Sequence, residues 1–262
     1  MFSEPASRPC VRRASGHPRT GSIAPMSLLT YEEVRPWARS IKQRVEAREM
    51  PPWFLDRHVG VQQFKADKSL SDAEITLVST WVDAGAPMGN PADLPAPLAF
   101  DDMTKWHIGE PDWIIPIPEP FVVEAEAADW WGNLVSDSGL TEDRWVKAVE
   151  TKPTEESFSV VHHAVTTAID PDGEAAFLNE YALGKNGDIY PDGTGRLLRA
   201  GSQIRFNMHY HAVGRRVTDR TSVGVTFYPK GVVPERPIYA LRIGDNEDLD
   251  IPAGESNVRH DG

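Results

Sequence analysis

Cysteine is almost absent from this sequence, with a single residue, Cys10, among 262. One cysteine excludes an internal disulfide and every motif that needs two, including CxxC zinc or redox sites and the CxxCH attachment site of c-type haem. No apolar run approaches the roughly 20 residues of a membrane-spanning helix. The N-terminal stretch also lacks the apolar core of a secretion signal. The sequence therefore predicts either a cytosolic protein or a chain that lacks its natural beginning.

Positive charge is also scarce, since Lys and Arg total 27 against 39 Asp and Glu, which gives a net charge of −12. A surface of this sign repels phosphate backbones and anionic membranes, so nucleic-acid binding is not expected. Apolar material is plentiful, with 40% hydrophobic residues and eight tryptophans. We therefore expect a soluble globular protein with a substantial core, in one large domain or two ordinary ones.

Residues 21–90 carry two helical patterns, the first over residues 30–48. Each begins with a capping box, in which a Ser or Thr precedes a Glu by three positions. The boxes are Thr30 with Glu33 and Ser71 with Glu74, and apolar side chains follow each of them at helical spacing. A proline-rigid loop, "EMPPWFLDRHVG", separates the helices, and a glycine ends the second. These features predict a small helical domain.

Residues 91–100 have the composition of a proline-rich linker. Beyond them, short β-type runs are separated by Gly, Pro and Asp, and no helix is predicted among them. The sequence therefore predicts an irregular N-terminus over 1–20, the helical domain, the linker and a mainly β domain over 101–262. We expect this last domain to be an antiparallel β-sandwich of jelly-roll type. The runs are "DWIIPI", "FVVEAEA", "RWVKAVE", "FSVVHHAVTTAI", "SQIRFNMHYHAV", "SVGVTFYP" and "IYALRI".

Histidines are concentrated in two of these β-type runs. The run "SQIRFNMHYHAV" alternates, so that His209 and His211 share one face and a set of four apolar or aromatic side chains occupies the other. The run "VVHHAV" places His162 beside His163, and neighbours on a regular strand point to opposite faces. Both can reach one ion only at a strand edge or a bulge. The predicted core face of the first run consists of Ile204, Phe206, Met208 and Tyr210.

If the two runs are neighbouring strands, three or four imidazoles converge on one open, roughly T-shaped metal site. Imidazole suits copper, zinc, iron and nickel, and copper binds most tightly among the divalent ions. A three-histidine zinc site with a bound water is the competing assignment. The alternative is that these histidines bind no metal and are simply packed in the structure or facing solvent. We interpret His58, His107 and His260 as structural or incidental.

The two histidine runs resemble a known family. "VVHHAV", followed later by "IRFNMHYH", is similar to the N-terminal half of the copper type II, ascorbate-dependent monooxygenases. The resemblance implies that His162, His163 and His209 hold an electron-transfer copper. His211 has no counterpart in the family's pattern, so its role stays open between supporting a ligand and being simply exposed. The resemblance also implies a periplasmic or other extracytoplasmic location, and a small-molecule reductant or redox partner domain.

The helical part resembles the cytochrome c-like domain that precedes such copper domains in some bacterial proteins. The similar stretches are "GSIAPMSLLTYEEVRPWARSIKQRVEAREMPPWF" and "LSDAEITLVSTWVDAGAPMGNP". The resemblance makes Met50 the axial haem ligand. The expected CxxCH is missing, because Cys10 and His17 stand at the wrong spacing, so haem is expected only if the native N-terminus carries that motif. The resemblance stops upstream of Gly21, which suggests a truncated or frame-shifted start.

The resemblance covers only the electron-transfer half of the family. Its members hydroxylate their substrate at a second copper, which a His-x-His pair and a Met bind in a following β domain. No His-x-His other than His209 with His211 occurs here, and no Met follows Met208. The resemblance therefore predicts a copper-binding oxidoreductase module of a longer protein rather than a complete monooxygenase.

Two other functions compete with this prediction. One is a non-catalytic interaction or carbohydrate-binding module, in which Trp130 and Trp131 would form a sugar platform. The other is a hydrolytic zinc enzyme, which needs a carboxylate base beside the metal. The strand with the paired histidines offers only Asp170 for that purpose, and it lies far along the strand.

Overall fold

The structure is a computed structural model that describes residues 27–53, 55, 58–61, 63–64, 67–93, 102–182, 185, 187–240, 250–256 and 258. The predicted irregular N-terminus, with Cys10 and His17, lies outside these residues, as do His260 and most of the predicted linker. The chain divides into two compact units between Asp102 and Met103. None of the helices in the described ranges has the apolar length that crossing a lipid bilayer requires.

The described part of the first unit contains three α-helices: α1 (Tyr31–Val34), α2 (Ala38–Glu46) and α3 (Asp72–Asp83). A 3-10 turn joins α1 to α2, where the sequence predicted one continuous helix. Pro36 lies in this turn, and the break follows from its chemistry, because proline has no backbone N–H to donate to the preceding turn.

Both predicted capping boxes are confirmed. The backbone N–H of Glu33 donates to Thr30 Oγ1 at 3.3 Å, and that of Thr30 donates to Glu33 Oε2 at 3.0 Å. The same exchange joins Glu74 N to Ser71 Oγ at 3.3 Å and Ser71 N to Glu74 Oε2 at 2.8 Å. These bonds satisfy donors that the first helical turn leaves unpaired. Gly85, with a φ of 88°, follows α3 where the sequence predicted its end.

The helical unit has a small core of its own. Ile41 and Val45 of α2 and Val78 and Trp81 of α3 are buried in one cluster. Their spacing of three or four residues is the helical periodicity that the sequence analysis used.

The described part of the second unit contains twelve strands and one short 3-10 turn, Glu155–Ser157. The strands are β1 (Trp113–Pro116), β2 (Phe121–Val123), β3 (Trp130–Asp137), β4 (Arg144–Lys152), β5 (Val161–Ile169), β6 (Ala175–Ala182), β7 (Asp188–Ile189), β8 (Thr194–Leu198), β9 (Gln203–Tyr210), β10 (Val217–Asp219), β11 (Ser222–Phe227) and β12 (Arg236–Pro237).

These strands form antiparallel sheets, as predicted. The larger sheet has the order β1-β11-β4-β8-β12, with β7 also paired to β4; a second sheet has the order β3-β9-β5-β6, and β2 pairs with β10. Among the described strands, only β8 and β12 pair in parallel. Val149 and Val225 of the larger sheet share one core with Phe206 and Met208 of the second. That shared core is consistent with a β-sandwich, and jelly-roll connectivity stays a prediction.

The sequence missed several strands and misplaced one. It did not predict β3, β6, β7, β8, β10 or β12, and the run "IYALRI" forms no strand over residues 238–240, while its remainder lies outside the described residues. The segment of β6, "AAFLNEYA", has few residues that favour strands. It pairs with β5 because a tight turn returns the chain, with Gly173 at a φ of 91° and its N–H donating to Asp170 O at 2.8 Å.

Candidate metal centre

The two histidine runs lie on neighbouring strands. β5 and β9 pair antiparallel, and His163 lies directly opposite His209. The register shifts at this end of β5, because Val161 faces Tyr210, so the two steps from Val161 to His163 on β5 match a single step on β9. His162 is therefore the extra residue of a β-bulge. The bulge releases His162 from strict alternation, and this is the arrangement that adjacent histidines need to approach one point.

The alternation of β9 determines which face carries the centre. Ile204, Phe206 and Met208 have no exposed surface and Tyr210 has 1%, so the predicted core face is confirmed. His209 therefore points away from the core. A slip of one residue would exchange the two faces and bury His209, so the hydrophobic core fixes the position of this imidazole.

Three imidazoles converge on the outer face of this sheet. His162, His163 and His209 each present one ring nitrogen within 4.8 Å of the other two. The Nδ1 atoms of His162 and His209 are 2.9 Å apart. Two nitrogens bound to one ion at about 2.0 Å each can be at most about 4 Å apart. Small side-chain rotations would bring all three nitrogens within bonding distance of one metal ion.

The three rings also have close centroids and differ in exposure. The centroid of His209 is 4.8 Å from that of His162 and 5.1 Å from that of His163. His162 is exposed, whereas His163 and His209 are half-buried. Burial lowers the pKa of His163, and the charges of His209 and His162 lower it further, while Glu180 acts in the opposite direction. A lowered pKa favours the neutral imidazole, which is the form that binds metals.

A carboxylate that the sequence analysis missed lies beside these histidines. Oδ2 of Asp129 is 3.0 Å from Nε2 of His209, and Oδ1 is 2.6 Å from Nδ1 of His211. The hydrogen bonds from His211 and His209 lower the pKa of Asp129. No motif spacing links Asp129 to the histidines. They meet because Asp129 precedes β3, which pairs with β9, and β3 was not predicted.

Asp170, the carboxylate considered at the sequence level, takes no part in the centre. It follows the far end of β5, where it accepts a hydrogen bond from Ser202 Oγ at 3.2 Å and lies 3.6 Å from Arg199. Its contacts are those of a residue that anchors the strand ends.

His211 lies next to the three histidines without joining them. Its side chain is 63% exposed, and Asp129 accepts a hydrogen bond from its ring. It is absent from the set of described side chains that could hold one ion. Its backbone N–H extends the β5–β9 pairing by donating to Val160 O at 2.9 Å. His211 therefore contacts Asp129 and does not contact the possible metal position among His162, His163 and His209.

The two adjacent tryptophans point in opposite directions, as neighbours on a strand do. Trp131 is 63% exposed, and its ring meets those of His209 and His163 edge to face, at centroid distances of 4.5 and 5.2 Å. Trp130 instead packs against the core, with its ring 4.6 Å from that of Phe121. The predicted platform of Trp130 with Trp131 is therefore wrong, because only one of the two rings faces solvent on this side.

His58 and His107 lie outside the cluster that could hold a metal. Both are exposed, and the backbone N–H of His107 donates to Glu150 Oε2 at 2.6 Å. Neither residue contributes a ring nitrogen to the three-histidine centre.

Met50, the candidate haem ligand, is half-buried at a pocket of about 200 Å³ in the helical unit. No histidine is among the described residues that line this pocket. In c-type haem proteins of this kind, Met ligation is paired with His ligation, so the described residues supply one ligand of the two and do not by themselves fit a haem. The lining consists of Val45, Arg48, Met50, Pro51, Trp53, Leu55, Ser69, Leu70 and Ile75.

Comparison of the chain with protein-family models finds no match, and comparison with curated proteins finds none either. The geometry of the three-histidine centre and the sequence motifs that it contains are therefore the observations that bear on function.

Proposed function

We propose that this chain is a copper-binding module of an oxidoreductase, related to the electron-transfer half of the copper type II, ascorbate-dependent monooxygenases. The observation that carries the proposal is the convergence of His162, His163 and His209 at the β5 bulge. These are the three residues that match the family's copper ligands in the sequence. Two independent lines, a motif and a spatial cluster, therefore indicate the same residues.

The ligand set suits a one-electron role. Three imidazoles form it, and imidazole is a ligand that copper binds readily. Bound copper would supply a couple between Cu(I) and Cu(II). The chain holds the ligands on two paired strands whose register the core fixes, and a fixed ligand frame keeps the rearrangement between oxidation states small. A small-molecule reductant or a redox partner domain would supply the electron, in an extracytoplasmic compartment.

The position of Asp129 favours this role over zinc hydrolysis. A hydrolytic base must reach the metal-bound water. The carboxylate of Asp129 instead bonds Nε2 of His209, while Nδ1 of the same ring faces His162. Asp129 therefore contacts the side of the His209 ring that faces away from His162, and it is not placed to act on a water bound to the metal.

Copper binding tests the proposal directly. Titration of the purified chain with Cu(I), in competition with a chromogenic chelator, should give one tightly bound copper per chain. The triple variant His162→Ala/His163→Ala/His209→Ala should lose this binding. The matched control is His107→Ala, which removes an exposed histidine outside the cluster and should bind as the wild type does. Equal binding by the triple variant would refute the proposal.

The redox role needs a second measurement. The Cu(II)-loaded chain should lose its EPR signal when ascorbate is added and regain it on reoxidation, with the copper retained throughout. The same titration with Zn(II) provides the comparison. A chain that binds Zn(II) far more tightly than Cu(I), and releases copper on reduction, would contradict an electron-transfer function.

A further inference from the structure

One carboxylate bridges two imidazoles at the edge of the proposed copper centre. Asp129 Oδ2 lies 3.0 Å from His209 Nε2, and Oδ1 lies 2.6 Å from His211 Nδ1. The His209 side chain is only 12% exposed, whereas those of Asp129 and His211 are 52% and 63% exposed. The bridge therefore runs from a partly buried imidazole of the centre to an exposed imidazole outside it.

This bridge determines which nitrogen of His209 is free to bind a metal. A neutral imidazole has one N–H and one lone pair, and an ionised carboxylate only accepts hydrogen bonds. Asp129 therefore requires the hydrogen of His209 to be on Nε2, which leaves the lone pair on Nδ1. That Nδ1 is the atom 2.9 Å from Nδ1 of His162, inside the three-histidine cluster.

We infer that Asp129 is a positioning residue, which selects Nδ1 of His209 as the metal-binding nitrogen and fixes the orientation of its ring. The inference rests on the proposed copper-binding function. Hydrogen bonds of this kind, from a ligand's second ring nitrogen to a carboxylate, raise the basicity of the ligand and hold its tautomer.

The same geometry gives His211 a function. Asp129 belongs to no strand and is half exposed, so a single hydrogen bond would leave its carboxylate free to rotate. The ring of His211 binds the second oxygen and restrains that rotation. His211 therefore positions Asp129, and through it His209, without contributing a nitrogen to the cluster.

Copper affinity provides the first test. Asp129→Ala should weaken Cu(I) binding by about 10- to 100-fold, the usual range for losing a carboxylate that supports a histidine ligand. Asp129→Asn, which keeps the size of the side chain, should also weaken it, and His211→Ala should cause a smaller loss. The matched control is Glu180→Gln. It removes the same charge near the cluster, where Glu180 acts on His163 electrostatically, and should stay close to wild-type affinity.

The tautomer of His209 provides a test that a general loss of stability would not mimic. Long-range ¹H–¹⁵N NMR spectra of the Cu(I)-loaded chain should show the hydrogen of His209 on Nε2 in the wild type and a mixture of tautomers in Asp129→Ala. Equal losses in Asp129→Ala and Glu180→Gln would overturn the inference, as would a wild-type His209 with its hydrogen on Nδ1. A wild-type chain that binds no copper would overturn the proposed function, whereas copper binding that Asp129→Ala leaves unchanged would overturn this inference alone.

Discussion

The two units of the chain each contain one candidate cofactor site, and the sites differ in how many ligands the described residues bring together. In the β unit, His162 and His163 on one strand meet His209 on another. In the helical unit, Met50 lines a pocket whose described lining contains no histidine. In the β unit, strand pairing brings the adjacent histidines together with a third ligand. In the helical unit, the loop that carries Met50 provides one candidate haem ligand, and the described lining of its pocket provides no histidine as the second.

The two sites also differ in how rigidly the fold holds them. The outer face of β9 is fixed by the completely buried residues on its inner face, so the histidine positions depend on a core that spans both sheets. Met50 follows the end of α2 and only packs against the edge of a smaller core. We therefore expect the β centre to bind its metal independently of the helical unit's pocket.

The largest difference is expected when one ligand is removed from each site. His209→Ala should reduce Cu(I) affinity by more than about 100-fold, because the loss of a ligand exceeds the cost of losing a supporting hydrogen bond. Met50→Leu conserves volume and should leave Cu(I) affinity unchanged. Chelator competition measures both. A large loss in Met50→Leu would mean that the two sites are not independent.

Deleting His162 tests the bulge. Because His162 is the extra residue between the pairs Val161–Tyr210 and His163–His209, its removal should give a regular β5 with every core side chain in place. The variant should stay folded by circular dichroism and lose copper affinity to the same degree as His162→Ala. Deletion of Ala164 is the control, because it lies in the regular part of β5 and is fully buried. If the deletion of His162 damages folding as much as the deletion of Ala164 does, His162 is not the extra residue of a bulge.

Trp131 should report copper binding through its fluorescence. Its ring contacts those of His209 and His163, so bound Cu(II) should quench its emission strongly. Trp131→Phe should remove the quenched component and keep copper affinity. Trp113, which is 42% exposed on β1 of the other sheet, is the control, and Trp113→Phe should retain the quenched component. Identical quenching in both variants would contradict the placement of Trp131.

The smallest effect is expected in the helical unit. Ser71→Ala removes the acceptor for Glu74 N–H and should cost about 1 kcal/mol of stability in that unit, the typical value for an N-cap. Chemical denaturation followed by circular dichroism measures this cost. Copper affinity should be unchanged, and a parallel loss of copper binding would show that the two units are coupled.

The sequence predicted best the features that depend on near neighbours along the chain. A capping box needs only a spacing of three positions, as from Ser71 to Glu74, and the faces of β9 follow from alternation within one strand. The pairing of the two histidine strands was the condition on which the predicted metal site depended, and β5 does pair with β9. Within the helical region, the break at Pro36 was missed because the apolar spacing continues through it.

The features that the sequence missed depend on contacts between distant segments. β3 contains Gly132, which weakens a strand signal. Here a side chain at Gly132 would come within 2.5 Å of the Trp130 ring, so the glycine reflects packing that only the fold shows. Because β3 was not predicted, the contact of Asp129 with His209 could not be anticipated either. A carboxylate 80 residues from its partner becomes visible only when the strand order is known.

X-ray absorption spectroscopy of the Cu(I)-loaded chain identifies the ligands of the bound copper. We expect three imidazole nitrogens bound to each copper ion in the wild type and the loss of one imidazole in His209→Ala. A copper ion with a bound sulfur, or with fewer than three imidazoles in the wild type, would contradict a centre formed by His162, His163 and His209.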